Sequence, residues 1–396
     1  MPDFDVEAFI ERQVEAVREA LGAEKALVAV SGGVDSAVSA ILTHRAIGGN
    51  LVCVFIDDNF MRLGEGEQVK AMLGAEPTRL PVQVLNERRR FMDALKGLGD
   101  AEDKRKAFRA TFYETLSDVA RREGARFLVQ GTIKADIDET AAGIKTQHNI
   151  LEQIGIDPVE RFGFKVIEPV KSLYKYQVRE VARALGAPPA LSERQPFPGP
   201  GLSIRVVGEI TAEKLGALKK ATAEVEYSFG PLGPSQFLCA VFSGRSPKRL
   251  KAVERAAAEV TGLSPKQVQA GLLNEKATGM VDGKRTYGSV VTLSLKDDSG
   301  EIVEPSYDDL AEVLTRLKDV YPGATRLLIL VGEKPGDGYV VSTRAVKTRD
   351  FLTAEAVRLP WATLRSAAKK VLGSCPGVAS VYYDVTPKPP ATVEYE

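Results

Sequence analysis

Short apolar runs alternate with amphipathic stretches over the first half of the chain, to about residue 190. Near-continuous apolar runs are typical of strands that are buried on both faces, and amphipathic stretches are typical of helices. This alternation predicts β-α-β units around a parallel sheet, as in α/β proteins. The predicted strands cover residues 26–30, 51–56, 82–85, 127–130 and 166–167, and the predicted helices cover residues 6–21, 36–46, 102–123 and 175–185.

A segment rich in proline and glycine then interrupts every regular pattern. Pro188 and Pro189 are followed by the sequence Gln-Pro-Phe-Pro-Gly-Pro-Gly at 195–201. Proline lacks a backbone N–H and glycine readily adopts positive φ, so such a segment ends helices and strands. We therefore predict a first domain over residues 1–192, a linker over 193–202 and a second domain over 203–396.

The second half mixes apolar runs and helical stretches less regularly, which predicts a smaller α+β domain. Its predicted strands cover residues 203–207, 290–295, 327–331, 339–343 and 381–385, and its predicted helices cover residues 247–260, 307–318 and 361–372.

Composition narrows the classes of function. The 396 residues carry 53 Lys plus Arg and 53 Asp plus Glu, so no overall field attracts nucleic acid or a membrane surface. No apolar run approaches the roughly 20 residues of a membrane-spanning helix, and the acidic first residues do not resemble a signal peptide. Three distant cysteines and two histidines form no disulfide or zinc pattern. We therefore expect a cytoplasmic protein that binds neither nucleic acid nor membrane.

The most informative motif is a strand that runs through Ser-Gly-Gly directly into a helix. The sequence Val-Ala-Val-Ser-Gly-Gly-Val-Asp-Ser spans residues 28–36. Glycine permits a tight turn with free N–H groups, and the helix N-terminus adds a partial positive charge of about half a unit. Such a loop fits a pyrophosphate. The ATP-binding residues that we predict in it are Ser31, Gly32, Gly33, Val34, Asp35 and Ser36.

Asp35 brings a negative charge into this loop, and phosphate would repel it unless a cation lies between them. We therefore predict that Asp35 binds Mg²⁺. The alternative is an ordinary strand–helix turn in which Ser31 or Asp35 caps the helix. No Lys-Ser or Lys-Thr follows the glycines, so the loop is not a Walker A motif, and it is not a Gly-x-Gly-x-x-Gly dinucleotide fingerprint.

The loop resembles the PP-loop of the N-type ATP pyrophosphatases, which cleave ATP between the α- and β-phosphates. Two later segments resemble one family among these enzymes, the synthetase subunit of GMP synthetase. They are Arg-Gln-Pro-Phe-Pro-Gly-Pro-Gly-Leu-Ser-Ile-Arg at 194–205 and Tyr-Asp-Val-Thr-Pro-Lys-Pro-Pro-Ala-Thr-Val-Glu-Tyr-Glu at 383–396. Shorter matches lie at 55–58, 103–106, 130–132 and 168–171, at Asp136 and Glu139, and at Lys145 before His148 and Asn149.

The resemblance implies that an oxygen of the XMP base attacks the α-phosphate of ATP, that pyrophosphate leaves, and that ammonia then displaces AMP to give GMP. Such chemistry depends on positioned cations and N–H donors. The residues implied in catalysis are Asp35, Glu139, Lys145 and Lys171, and Gly131 and Thr132 extend the ATP site. Asp103-Lys-Arg-Lys106 is a candidate mobile lid, with a solvated helix face as the alternative.

For XMP the resemblance implies Arg205, Lys388, Thr392 and Glu394, with Arg285 in a second loop. Lysine suits a 5′-phosphate, and a carboxylate suits the N–H groups of the base. The alternative for the C-terminal segment is a plain β-hairpin edge in which prolines block aggregation.

The sequence contains no nucleophilic cysteine followed by the histidine and glutamate of a glutamine amidotransferase. The resemblance therefore implies a separate glutaminase subunit that supplies ammonia. It also implies a homodimer through the second domain. Residues 294–337 have no counterpart in the family pattern, so we expect a surface insertion there. Gln147 and Gln195 stand where the family usually has histidine.

Three other functions compete with this interpretation. Another PP-loop enzyme, such as an NAD synthetase, would use deamido-NAD and would not need the C-terminal Lys-Pro-Pro segment. A tRNA-modifying or RNA-binding protein is disfavoured by the balanced charge, the lack of a cysteine pair for sulfur chemistry and the lack of a basic aromatic stripe. A nucleotide-sensing module would keep the loop without turnover.

Overall fold

The computed structural model describes residues 4–141, 157–192, 195, 197–281, 283–348 and 353–396. The chain divides into two compact units, one made of Met1–Ala94 with Ala107–Gly199 and one made of Leu95–Lys106 with Pro200–Glu396. The break after Gly199 falls within the segment 193–202 that the sequence predicts as a linker. The inclusion of Leu95–Lys106 was not predicted, and with these residues the second unit is the larger one, not the smaller one that we expected.

A five-stranded, all-parallel sheet forms the centre of the first unit, with the strand order β3-β2-β1-β4-β5. Its strands are β1 (Lys25–Ala29), β2 (Leu51–Asp57), β3 (Val82–Asn86), β4 (Ala125–Val129) and β5 (Lys165–Ile167). The helices of this half of the chain are α1 (Val6–Leu21), α2 (Val34–Ile47), α3 (Glu65–Gly74), α4 (Arg88–Leu95), α5 (Ala101–Glu123), α6 (Lys134–Ala141), α7 (Pro158–Phe162), α8 (Lys175–Ala184) and α9 (Pro189–Ser192).

Local signals explain where α1 begins and why it packs. The Asp5 carboxylate accepts a hydrogen bond from the Ala8 N–H at 3.0 Å and so caps the helix, and Gly22, with φ 55°, ends it. One face of α1 buries Phe9, Ile10, Val17 and Leu21 in the same core as α2 and α8. Burial of each such side chain contributes about 1.5–3 kcal/mol, so tertiary packing rather than helix propensity holds this layer.

Parallel strands place all their carboxyl ends at one edge of the sheet, and ligands of open α/β sheets bind outside that edge. Val30 follows β1, Asp58 follows β2, Gln130 follows β4 and Glu168 follows β5. Four of the segments that the sequence singled out for chemistry therefore share this edge.

The second unit is built on an eight-stranded mixed sheet with the order β12-β11-β13-β10-β9-β8-β7, in which β6 also pairs with β11. Its strands are β6 (Gln236–Phe242), β7 (Arg245–Arg249), β8 (Val268–Val281), β9 (Lys284–Leu295), β10 (Ala324–Glu333), β11 (Tyr339–Lys347), β12 (Glu355–Ala356) and β13 (Val378–Asp384). Its helices are α10 (Ala212–Phe229), α11 (Lys251–Thr261), α12 (Tyr307–Val320) and α13 (Trp361–Ser374).

Two β-α-β arrangements meet at the centre of this sheet. The strands β9 and β10 are parallel and joined by α12, and the strands β11 and β13 are parallel and joined by α13. The strands β10 and β13 pair antiparallel, so the two arrangements run in opposite directions. We call them the β9–β10 half and the β11–β13 half.

Two sequence-based predictions are wrong here. Residues 294–337 are not a surface insertion, because they contain α12 and the central strand β10, whose residues Leu327, Leu328, Ile329 and Leu330 are fully buried. Residues 203–207 do not form a strand. The backbone at Gly201 has φ 60° and enters a 3₁₀ turn over Gly201–Ile204, and only an isolated bridge joins Val206 to Val241. None of the helices in the described part of the chain is long and apolar enough to cross a membrane.

Candidate active site

The predicted phosphate loop lies at the carboxyl edge of the parallel sheet. Gly32 has φ 76°, a conformation that side chains rarely adopt, and Gly33 is the N-cap of α2. The hydroxyls of Ser31 and Ser36 lie 3.2 Å apart, and Ser36 Oγ donates to the Gly33 carbonyl at 3.2 Å. Two hydroxyls therefore converge where the helix dipole is positive, a geometry that suits phosphate oxygens.

Val34 differs from its neighbours in this loop because its side chain is buried in the core of the first unit. It is the first residue of α2, so only its backbone N–H points toward the N-terminal end of the helix. Its contribution to an ATP site would therefore come from the backbone.

Asp35 is the one charged side chain of the loop at 31–36. Its Oδ2 lies 2.5 Å from Lys175 Nζ, while its buried Oδ1 has no hydrogen-bond partner among the described residues. Burial raises the pKa of Asp35, the charge of Lys175 opposes this rise, and the nearby Asp136 adds to it. A buried carboxylate oxygen without a partner, beside a second carboxylate, is an arrangement that a bound cation would stabilise.

The donor set fits magnesium better than a closed metal centre. No group of three or more His, Cys, Asp or Glu side chains with metal-ligand geometry occurs in the part of the chain that the structure describes. Mg²⁺ usually keeps several waters and is held by one or two carboxylates together with substrate phosphates. Asp35, with Asp136 nearby, meets that requirement.

Gly131 brings a second loop against the phosphate loop. A Cβ added at Gly131 would lie 2.6 Å from the backbone nitrogen of Ser36 and 2.7 Å from the carbonyl carbon of Asp35. Only glycine allows this approach, because the clashing atoms belong to the backbone and cannot rotate away. Thr132, the next residue, is buried. The loop after β4 therefore fixes the start of α2.

Three cationic side chains follow β5 in the chain. Lys171 is exposed, four residues beyond Ile167, the last residue of that strand. Lys175 bonds to Asp35, and Arg179 lies close enough to lower the Asp35 pKa. The buried Nε of Arg179 has no hydrogen-bond partner within the described ranges. Positive charge with spare hydrogen-bonding capacity therefore lies beside the loop.

The sequence analysis missed Lys175 and Arg179. A signal for Lys175 was present, because a lysine at the first position of a helix opposes the helix dipole and is unfavourable without a nearby anion. Lys145 lies outside the described residues, and so does His148. Glu139 is in α6, but its side chain is not among those described.

The predicted XMP residues lie in the second unit, and three of them form one hydrogen-bonded group. Arg205 donates to both carboxylate oxygens of Glu394, at 2.8 and 2.9 Å, and only 2% of Arg205 is exposed. The Thr392 hydroxyl contacts the Glu394 carbonyl at 2.6 Å and the Thr278 carbonyl at 3.1 Å. The C-terminal segment thus packs on β8.

The other two predicted XMP residues are placed differently. The backbone of Lys388 exchanges hydrogen bonds with Ala354, and the side chain is partly exposed. Arg285 is exposed in β9, where it pairs with Met280 of β8. Burial lowers the pKa of Arg105, and the charge of Arg285 lowers it further. Arg285 therefore lies near Arg105, which the sequence assigned to the lid motif.

The lid interpretation of Asp103-Lys-Arg-Lys106 is wrong for its two central residues. Lys104 is fully buried, forms an ion pair with Glu396 and donates to the carbonyls of Val206 and Gly208 at 2.8 and 2.9 Å. Arg105 is 7% exposed and donates to the Glu396 carbonyl. Buried ammonium and guanidinium groups with this many partners cannot move as a lid without losing them all.

The family now follows from comparison with known proteins. Residues 329–395 match the family model of the GMP synthase C terminal domain. A protein of Sulfurisphaera tokodaii, named as one of the subunits of a glutamine-hydrolyzing GMP synthase, is 38% identical over 394 residues, covering 99% of this chain and 100% of that protein. The chain belongs to this GMP synthase subunit family. The protein of the same name from Saccharolobus solfataricus is 39% identical over 394 residues, again covering 99% of this chain and 100% of the relative.

Similarity to solved structures is weaker. An NMN synthetase from Francisella tularensis aligns with 51% of this chain and 79% of its own, with a TM-score of 0.38 and 17% sequence identity. Membership of the GMP synthase subunit family therefore rests on the full-length relatives and on the C-terminal domain.

Proposed function

We propose that this chain is an ATP-dependent ligase that aminates XMP to GMP through an adenylyl-XMP intermediate and releases AMP and pyrophosphate. The observation that carries the proposal is the Ser31–Ser36 hydroxyl pair and Asp35 at the start of α2 in a member of the GMP synthase subunit family. ATP is the co-substrate in this reaction, and XMP and ammonia are the other two reactants.

In the proposed reaction the loop receives the β- and γ-phosphates. Backbone N–H groups at Gly32, Gly33 and Val34 and the hydroxyls of Ser31 and Ser36 would donate to phosphate oxygens. Lys175 is held beside the loop by Asp35, and its charge, with that of Arg179, would offset the charge of the departing pyrophosphate. Gly131 keeps the loop in place, and Thr132 would contribute to the same site.

Magnesium is part of the proposal, and Asp35 is the residue that we assign to it, with Asp136 close by. When bound, Mg²⁺ supplies positive charge that stabilises the transferring phosphates. Asp35 contributes a carboxylate oxygen that has no protein partner among the described residues, and Lys175 orients that carboxylate through its other oxygen. Lys171, Glu139 and Lys145 stay predicted catalytic residues.

We assign XMP to the second unit. Glu394 would accept from N–H groups of the base, and Lys388 and Arg285 would neutralise the 5′-phosphate. Arg205 would act as a positioning residue, because its bidentate bond fixes the Glu394 carboxylate. Thr392 holds the same segment on β8 through the Thr278 carbonyl.

Ammonia is proposed to come from a separate glutamine amidotransferase subunit. All three cysteines of the sequence are buried, and burial raises the pKa of the Cys53 and Cys239 thiols to about 12 and also raises that of Cys375. A thiolate nucleophile for glutamine hydrolysis requires the opposite shift. We further propose a cytoplasmic location, where ATP and XMP occur, and a homodimer, which light scattering would detect.

The test is a turnover assay with the purified chain, XMP, ATP, Mg²⁺ and ammonium chloride. We expect GMP, AMP and pyrophosphate in equal amounts, and no GMP when glutamine replaces ammonium. Deamido-NAD in place of XMP serves as the substrate control. AMP formation with deamido-NAD but not with XMP would contradict the proposal, as would sustained use of glutamine by the single chain.

A further inference from the structure

A polar cavity of about 350 Å³ lies in the second unit, and none of the residues assigned to XMP is in its lining. The strands β7, β8 and β9 line it, together with Glu333 of β10 and Tyr382 of β13. Four cationic side chains surround it, namely Arg245, Lys248, Arg249 and Lys296. The proposed reaction uses none of these residues.

Positive charge exceeds negative charge in this cavity. Glu333 is shared by two cations, Lys296 and Arg245, the latter at 3.7 Å. Arg249 is paired with Glu254 at 2.7 Å. Lys248 has no ion-pair partner within the described ranges, and its side chain is exposed. The four cationic side chains therefore face two carboxylates, those of Glu333 and Glu254, and the difference leaves two positive charges that an anion could neutralise.

Where the two halves of the same sheet meet, Arg326 of β10, Arg344 of β11 and Asp384 of β13 form a similar ionic group that is closed. There Asp384 is shared by Arg326 and Arg344, at 2.7 and 2.9 Å, and all three side chains are fully buried. Carbonyl oxygens of the protein take up the excess charge, including those of Thr392 and Thr386. Tyr395 covers the group and donates to Asp384 at 3.0 Å.

The cavity, in contrast, is lined by hydroxyl, amide and cationic side chains that can donate hydrogen bonds. The Tyr382 side chain is 1% exposed, and its hydroxyl lies 3.4 Å from Arg245. Hydroxyl and amide groups of Ser246, Gln269, Thr292 and Ser294 complete the lining. Guanidinium and ammonium groups with hydroxyl donors recognise phosphate, and the volume lies in the range of small-molecule sites.

We propose that this cavity is a second ligand site, which binds a phosphomonoester of up to mononucleotide size. Arg245 and Lys248 hold the phosphate, and the hydroxyl and amide groups of the lining bind the polar remainder. All residues that line the cavity belong to the second unit, whereas the phosphate loop belongs to the first.

Hydrogen–deuterium exchange with the full chain tests the proposal, because it separates this cavity from the reaction site. The probes are GMP, ribose 5-phosphate, inorganic phosphate and, as the uncharged control, guanosine. We expect the phosphorylated probes to slow exchange in peptides that cover 245–249 and 269–272, and guanosine to have no effect there. If inorganic phosphate protects these peptides but GMP and ribose 5-phosphate do not, the cavity binds only small anions, and the proposal of a phosphomonoester ligand is wrong.

The double variant Arg245→Gln/Lys248→Gln should weaken this protection by about 10- to 100-fold in probe concentration, the loss expected for charge-assisted hydrogen bonds. The matched control is Lys266→Gln, an exposed lysine of the same unit outside the cavity. Ammonia-dependent turnover at saturating substrates should be unchanged in both variants. Equal protection in wild type and double variant would overturn the proposal. Protection that appears only with the glutaminase subunit would also overturn it, because the surface would then dock a protein.

Discussion

The phosphate loop of the first unit and the C-terminal segment of the second unit look alike in sequence, because both place charged and hydroxyl residues beside glycine or proline. Their structures differ in how far those groups are already engaged. Asp35 keeps one carboxylate oxygen without a partner among the described residues. In the C-terminal segment, Glu394 has both oxygens bonded to Arg205. Residue type therefore identifies polar groups, and internal hydrogen bonding shows how far each group is already held in place before a ligand binds.

The contrast extends to burial. Asp35 and Lys175 retain 25% and 39% of their side-chain exposure, whereas Arg326, Arg344 and Asp384 retain none. Charges that remain partly solvated can exchange partners with a ligand at low cost. Fully buried charges cannot, because each lost partner leaves an uncompensated charge in a medium of low dielectric constant.

The largest effect on stability should come from a substitution in the buried ionic group of Arg326, Arg344 and Asp384. Asp384→Asn should lower the free energy of unfolding by about 3–5 kcal/mol, because Arg326 and Arg344 would lose their shared carboxylate. Urea denaturation measures it. The control is Asp308→Asn, whose side chain is 82% exposed and pairs with Arg358, and which should change stability by less than about 1 kcal/mol. Similar losses of unfolding free energy in the two variants would contradict the distinction between buried, fully paired charges and exposed ones.

Asp35→Asn should act on turnover rather than on stability. We expect ammonia-dependent GMP formation to fall by roughly 100-fold or more at fixed Mg²⁺, since one charged ligand for the metal is lost. The melting temperature should stay close to that of wild type. Asp118→Asn, at an exposed position of α5, is the matched control. Near-normal turnover of Asp35→Asn would mean that Asp35 only caps the helix.

Lys388→Ala tests whether the C-terminal segment also binds a ligand, in addition to its internal hydrogen bonds. It should weaken XMP binding by about 1.5–3 kcal/mol and leave ATP binding unchanged, as expected for a charge-assisted hydrogen bond to phosphate. Calorimetric titration of each ligand measures this, with the exposed Lys369→Ala as control. Equal loss of both ligands would indicate misfolding. Deletion of residues 387–396 is not a selective test, because Tyr395 and Glu396 are buried.

The smallest effect concerns pH. Burial raises the pKa of the Glu396 carboxyl to about 7, with Lys104 opposing the rise. Its pKa in the folded chain exceeds the unfolded value of about 4.5, so the bound proton stabilises the fold at low pH, and this contribution is lost as pH rises through 7. Relative to Glu396→Gln, wild type should lose about 1–3 kcal/mol between pH 5 and pH 8. A pH-independent difference between the two proteins would contradict the shift.

In the first unit, the local pattern of apolar and polar residues was enough to predict several strands and helices. The strand predicted at 51–56 is Leu51–Asp57, and the helix predicted at 6–21 is Val6–Leu21. In the second unit α10, β6 and β8 were not predicted. The middle of β8 is polar, with Asn274, Glu275 and Lys276, so its apolar signal is weak. Its identity as a strand comes from pairing with β9, which the local sequence does not encode.

The site shows the same limit. The loop at 31–36 could be predicted because its chemistry is local, whereas the Lys175–Asp35 pair joins residues 140 positions apart. Asp103-Lys-Arg-Lys106 has the pattern of a solvated helix face. Its Lys104 is nevertheless buried, because carbonyls near residue 206, roughly a hundred positions further along, accept hydrogen bonds from its ammonium group.

The bond between Arg105 and Glu396 spans 291 positions and has a consequence for synthesis. On the ribosome, Lys104 and Arg105 emerge long before the carbonyls and the carboxylate that neutralise them. Until then both side chains must stay hydrated, so the segment Leu95–Lys106 cannot take its buried place while the first half of the chain is being made. Closing so long a loop costs only slightly more entropy than closing a short one, but it delays the contact. The second unit is therefore completed only after residues 206–208 and 396 have been made and can meet the segment Leu95–Lys106.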